Sequence, residues 1–158
     1  MSPDGRTGMQ RIVVGVDGSE TSRHALRWAA DEAQAHDAEL HVVHAWEVPG
    51  LGAGVGLGPG RRTGAAPEGQ RDAAQQLLSD VLEAELGADP PGNVRSSIGR
   101  GSAASVLLEA SEGADLLVVG SRGLGGFKGL LLGSVSTKMA NHARCPVVIV
   151  RPPASPDV

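Results

Sequence analysis

The sequence predicts an α/β fold: a five-stranded parallel sheet with helices on both faces. Three observations predict it. Short, continuously apolar segments alternate along the chain with segments whose apolar residues recur at helical spacing. The apolar segments lack polar alternation, as strands buried on both faces do. Trp28, Trp46 and Phe127 are the only aromatic residues, so Val, Leu, Ile and Ala must build the core, which suits a sheet sandwiched between helices. A chain of 158 residues is of ordinary single-domain size and buries about two thirds of its unfolded surface.

Each element follows from local chemistry. Residues 12–16, Ile-Val-Val-Gly-Val, form the first strand and stop at Asp17, Gly18 and Ser19. Ser19 caps the first helix, Glu20 sits at its positive end, and Ala25, Leu26, Ala29, Ala30 and Ala33 supply its apolar stripe. A turn near His36 and Asp37 leads to a second strand over residues 40–46. Residues 49–69 are dominated by Gly, Pro and small side chains, too long and too poor in apolar surface for an ordinary connection. They are expected to form a mobile loop, either a plain excursion or a lid over a ligand. Ala73, Ala74, Leu77, Leu78, Val81, Leu82 and Leu86 then mark a second helix, ended by Gly87 and Pro90. A weaker third strand covers 94–98, and Ser102 caps a third helix carrying Val106, Leu107 and Ala110. Strand 116–119, a helix over 134–142 and strand 147–150 complete the domain. Flexible ends are expected at 1–9 and 153–158, flanking a domain over 10–152.

Composition excludes several classes of function. With 14 basic and 18 acidic residues and no Lys/Arg stripe interleaved with aromatics, no nucleic-acid partner is expected. There is no apolar leader and no membrane-length apolar run, so the expected location is cytoplasmic. The single cysteine, Cys145, precedes Pro146 and a Val/Ile run, the setting of a small buried hydrophobe. His24, His36, His41, His44 and His142 show no metal-ligand pairing on one face; His41 and His44 point to opposite sides of their strand. No metal site is therefore built from side chains.

The chemistry concentrates after the fourth strand. Val119 and Gly120 end it, and Ser121, Arg122, Gly123, Leu124, Gly125, Gly126, Phe127, Lys128 and Gly129 come next, a run in which glycines let a ligand approach the backbone and N–H groups converge on an anion. Gly133 and Ser134 then open the last helix, whose free N–H groups and dipole favour phosphate, with the Ser134 and Ser136 hydroxyls as further donors. Asp17, at the end of the first strand, either senses ribose or a phosphate-bound Mg²⁺, or simply begins a turn. The loop is neither a Walker A motif nor a GxGxxG fingerprint.

The spacing Gly120, two residues, Gly123, nine residues, Gly133-Ser134 resembles the G-2x-G-9x-G(S/T) signature of the ATP-binding subclass of the universal stress protein family. The segments IVVGVDGS (12–19), DLLVVG (115–120) and CPVVIVR (145–151) extend the resemblance over residues 10–152. It implies a Rossmann-like, adenine nucleotide α-hydrolase-like domain with strand order 3-2-1-4-5. It further implies ATP as the ligand, with Mg²⁺ held mainly by the phosphates. Gly15, Val16, Asp17 and Ala45 would then lie at the adenine and ribose. Gly120, Arg122 and Gly123 would approach the ribose and phosphates, and Gly133, Ser134, Val135 and Ser136 would bind the phosphates. The implied role is a nucleotide-dependent switch in stress response or dormancy, with slow or no hydrolysis and an unknown regulatory protein partner. A homodimer through the last strand, from Pro146 to Arg151, belongs to the same implication. An ATP phosphohydrolase and a nucleotide-independent dimeric interaction protein remain as alternatives.

Overall fold

The computed structural model describes residues 8–48, 67–123 and 132–153. The chain runs β1 (Arg11–Gly15), α1 (Glu20–His36), β2 (Glu39–Trp46), α2 (Pro67–Leu86), β3 (Val94–Arg100), α3 (Ala103–Ala110), β4 (Leu116–Gly120), α4 (Ser134–His142) and β5 (Val147–Val150). All strand pairs are parallel, in the order β3-β2-β1-β4-β5. β1 and its two neighbours form the buried centre, and β3 and β5 form the edges.

Period-two alternation divides the core into two layers. Ile12, Val14, Leu40, Val42, Leu116 and Val118 face α1 and α2, where Ala25, Leu26, Ala29, Leu78 and Val81 meet them. Val13, Val43, Leu117 and Val119 face α3 and α4, and meet Ala104, Leu107 and Met139. The near absence of aromatics leaves thin side chains between sheet and helix, so glycines mark the closest crossings. A Cβ on Gly99 would lie 2.5 Å from Val106 Cγ1, and one on Gly15 would lie 2.7 Å from Leu107 Cδ1.

Helices α1 and α3 begin where side chains serve their unpaired N–H groups. Ser19 Oγ accepts from Ser22 N at 3.2 Å, and α1 ends on Asp37 in the left-handed region at φ 53°, a conformation that asparagine and aspartate tolerate best among residues other than glycine. Ser102 Oγ accepts from Ser105 N at 3.2 Å to start α3. With only eight residues in α3, that cap is a large fraction of its local stabilisation. Ser102→Ala is expected to lower unfolding stability by about 1 kcal/mol, measured as a lower urea midpoint at unchanged slope. Between α1 and α2, Glu85 is 12% exposed and bridges Arg23 at 3.4 Å and Arg27 at 3.3 Å.

Three sequence expectations shift. α2 starts at Pro67, so Pro67, Glu68 and Gly69 are helical instead of loop; proline suits a first helical turn because its missing N–H had no partner there. The rest of the expected mobile loop, residues 49–66, lies outside the described residues. β3 continues past Ile98 to Arg100, because Gly99 and Arg100 pair with Ala45 and Trp46; Arg100 also lies over the Trp46 ring, 5.7 Å from its centroid. Met9, expected in a flexible leader, packs half-buried on the α1 side of the core.

Candidate functional site

β1 and β4 lie side by side at the sheet centre, and the chain leaves their carboxyl ends toward opposite faces, α1 on one and α4 on the other. Such a switch point leaves a crevice above the strands. Here it is a cleft of about 480 Å³, within the usual range for small-molecule sites.

One half of the cleft is apolar. Val16 just after β1, Val43 and Ala45 from β2, and Ala103 and Leu107 from α3 line it. Leu107 is fixed by its contact with Gly15, so strand and helix define this wall together. The other half is backbone-rich. Val119, Gly120, Ser121, Arg122 and Gly123 form one side, and Gly133, Ser134, Val135 and Ser136 the other.

Hydrogen bonds join those two sides. Gly133 N donates to Ser121 O at 2.6 Å, and Ser136 Oγ donates to the same carbonyl at 3.1 Å and to Gly133 O at 3.0 Å. The sequence assigned the Ser136 hydroxyl as a ligand donor; its one proton is instead shared between these two carbonyls, and the group is 2% exposed. Ser121, also expected to face a ligand, lines the cleft but is 1% exposed. The Ser134 side chain is exposed. Gly133 caps α4 without a side-chain hydrogen bond, so the N–H groups of its first turn stand at the cleft without a side-chain acceptor. Ser22, from the first turn of α1, also lines the cleft. The N-terminal ends of α1, α3 and α4 therefore all reach it, and their dipoles favour negative charge there.

Asp17 stands opposite. Its Oδ1 accepts from Ser19 N at 2.9 Å and its N–H donates to Ser22 Oγ at 3.2 Å, while Gly18, at φ +86°, makes the turn between them. A Cβ on Gly123 would lie 2.5 Å from Asp17 Oδ2, so carboxylate and glycine meet across the cleft. Gly120 has a different constraint: its missing Cβ leaves room for Thr21 and Ser22 at the start of α1. Gly125, Gly126 and Lys128 lie outside the described residues.

A sequence model of the universal stress protein family matches residues 8–151. The chain belongs to the universal stress protein family. Universal stress proteins of Mycobacterium tuberculosis and Mycolicibacterium smegmatis are similar to it. The first is 39% identical over 151 residues, covering 88% of this chain and 46% of that protein. The second is 36% identical over 141 residues, covering 89% and 45%. The chain thus spans about half the length of these curated relatives. Among solved structures, a universal stress protein in complex with cAMP superposes with a TM-score of 0.64 at 28% identity, over 91% of this chain and 98% of that one.

Within this universal stress protein fold, sequence reasoning missed Ser22, Val43, Ala103 and Leu107. Leu107 carried a signal, but its helical spacing marked it only as core. Its place in the wall depends on α3 crossing the end of β1, which no local pattern encodes. Outside the cleft, burial pushes the Cys145 thiol up and the Asp115 carboxylate adds to the shift, disfavouring the reactive thiolate. No cluster of metal-binding side chains occurs among the described residues, and no described helix is long and apolar enough to cross a membrane.

Proposed function

We propose that the cleft binds an adenine nucleotide, ATP with Mg²⁺, and that the protein acts as a nucleotide-dependent switch. The observation that carries this reading is the convergence of the uncapped first turn of α4 with the Gly120–Gly123 backbone beside an apolar wall. The first supplies N–H donors and a favourable dipole for phosphates; the wall offers Val16, Val43, Ala45 and Leu107 to a flat apolar base. The similarity to a cAMP-bound universal stress protein supports an adenine ligand and favours a second reading, in which a nucleoside monophosphate or cyclic monophosphate occupies the same cleft.

Slow or no hydrolysis belongs to the proposal. Attack by water needs a positioned base, and Asp17 is the one carboxylate among the described cleft residues. Its Oδ1 already accepts from Ser19 N, which favours a positioning role toward ribose or a phosphate-bound Mg²⁺. Bound nucleotide would shift the conformation of the Gly120–Gly123 backbone, a state for a regulatory protein to read during stress.

The test is to denature purified protein and identify released nucleotide by mass, then to titrate ATP, ADP, AMP and cAMP by calorimetry with and without Mg²⁺. Tightest binding of ATP with Mg²⁺ is expected. Preference for AMP or cAMP would support the second reading, and no binding of any of the four would refute both.

A homodimer through β5 is the further part of the proposal. β5 lies at the sheet edge with its four residues partly buried against the core, and its open edge invites a partner strand. Val148→Lys is expected to shift the protein from dimer to monomer in sedimentation; because Val148 also packs against the α1 side of the core, the shift counts only at an unchanged melting transition.

A further inference from the structure

At the opposite end of the sheet, away from the cleft, β1, β2 and β3 bring together Arg11, His41, Glu39, Arg95 and Ser97. Arg11 Nη2 lies 3.5 Å from His41 Nδ1, and His41 Nε2 lies 2.8 Å from Ser97 Oγ. Arginine can only donate. Nδ1 must therefore be the acceptor, the proton of the neutral ring sits on Nε2, and Nε2 donates to Ser97. This tautomer bars the imidazole from acting as a base toward the Ser97 hydroxyl, so the pair is not a nucleophile dyad. It also makes protonation of Nδ1 and the Arg11 contact mutually exclusive.

Arg11 is the tie between this cluster and α3. Its Nη1 donates to Glu112 O at 3.1 Å and its Nη2 to Ala110 O at 3.3 Å, both at the carboxyl end of the helix. The same helix supplies Ala103, at its start, and Leu107, in its middle, to the cleft.

We propose that His41 and Arg11 form an acid-operated anchor: protonation of His41 expels the Arg11 guanidinium and loosens the carboxyl end of α3, and with it one wall of the cleft. The charged groups around the imidazole favour its neutral form on balance. Arg11 on β1 and Arg95 on β3 oppose a proton, and Glu39 on β2 is the one carboxylate that draws it. Oε1 of Glu39 is already shared, 2.8 Å from Arg95 Nη2 and 3.9 Å from Arg11 Nε. On the α3 side, Glu109 and Glu112 have exposed side chains, and Glu112 meets Arg11 through its carbonyl. The Asp115 carboxylate accepts from the Gln10 and Arg11 backbone N–H groups. Burial lowers the His41 pKa from 6.5, and the two arginines lower it further against the opposing effect of Glu39.

The sign follows from linkage. With the folded value below the unfolded one, the unfolded chain binds more protons in the window between them, so stability rises with pH there. The contribution is complete above the ordinary value of 6.5 and is lost as pH falls through the lowered folded value.

The anchor does not depend on what the cleft binds, so the test uses nucleotide-free protein. Hydrogen exchange of the α3 amides is followed from about pH 7.5 to about pH 5, corrected for intrinsic exchange, in wild type and in His41→Asn, whose amide oxygen can accept from Arg11 but does not titrate. As pH falls from 6.5 to the lowered folded value, wild-type protection is expected to fall by up to roughly tenfold per pH unit, with a flat profile for His41→Asn. Equal acid loss in both proteins would overturn the proposal. Should the variant fold poorly, nitrogen-15 spectra of the wild-type histidines decide. An Nε2-protonated His41 titrating below 6.5 is expected; an Nδ1-protonated neutral ring, or titration above that value, would overturn it.

Discussion

Gly123→Val is expected to abolish nucleotide binding while leaving the protein folded. The new Cβ would lie 2.5 Å from Asp17 Oδ2, well inside van der Waals contact. Asp17 cannot simply swing aside, because Ser19 N holds its other oxygen and the Gly18 turn fixes its backbone. Gly123 itself is exposed, so no core contact is lost, and the cost falls on the cleft. Loss of affinity by at least about 100-fold, or about 2.7 kcal/mol, is expected in calorimetry. Gly123→Ala, which adds the Cβ without further branches, should lie between the two. Wild-type affinity in Gly123→Val would remove the cleft from consideration as the site, whereas a collapsed melting transition would make Gly123 a folding residue instead.

Gly120→Ala, three residues earlier in the same motif, is expected to act on the fold. A Cβ there would lie 2.9 Å from Thr21 Cγ2, 3.1 Å from the Thr21 carbonyl carbon and 3.2 Å from Ser22 N. Backbone atoms cannot rotate away as a flexible side chain does, so β4 and the first turn of α1 must separate. Overpacking of this kind costs about 1–3 kcal/mol, read as a lower urea midpoint. Thr21→Ser removes the nearest methyl and should recover part of that loss in the double variant, a coupling expected only of residues in contact. An additive double variant would show that the crossing of strand and helix is not the cause. Two glycines of one signature thus carry separate constraints, one toward the cleft and one toward α1.

The sequence made the layered architecture legible because strands buried on both faces cannot be written without continuous apolar runs. The bounds of α4 and β5 were readable for a similar reason: Gly133 and Ser134 announce a helix start, and Pro146 closes the preceding turn. α2 was harder to place, since its first residues, Pro67 to Gln70, carry no apolar stripe and are helical only by continuity with the later turns of the helix. β3 was cut short at Ile98 because Gly99 contributes no side chain to a hydrophobic pattern, although it contributes fully to the ladder opposite Ala45. In the site, the glycine spacing pointed to the end of β4, which lines the cleft. The engagement of the Ser136 proton and the crossing of α3 over β1 are tertiary facts that spacing does not express. The Arg11 and His41 contact was invisible for the same reason, since 30 positions separate the pair.

The Trp46 side chain gives the molecule an intrinsic optical reporter. The chain contains two tryptophans and no tyrosine, and Trp46 directly follows Ala45 of the cleft wall while Arg100 lies over its ring. Trp28, on α1, is packed against the α1 layer of the core. In a Trp28→Phe background, ultraviolet emission would come from the end of β2 alone. Indole fluorescence is sensitive to a neighbouring cation, so rearrangement at the ends of β2 and β3 would register as a change in colour or intensity without any attached label.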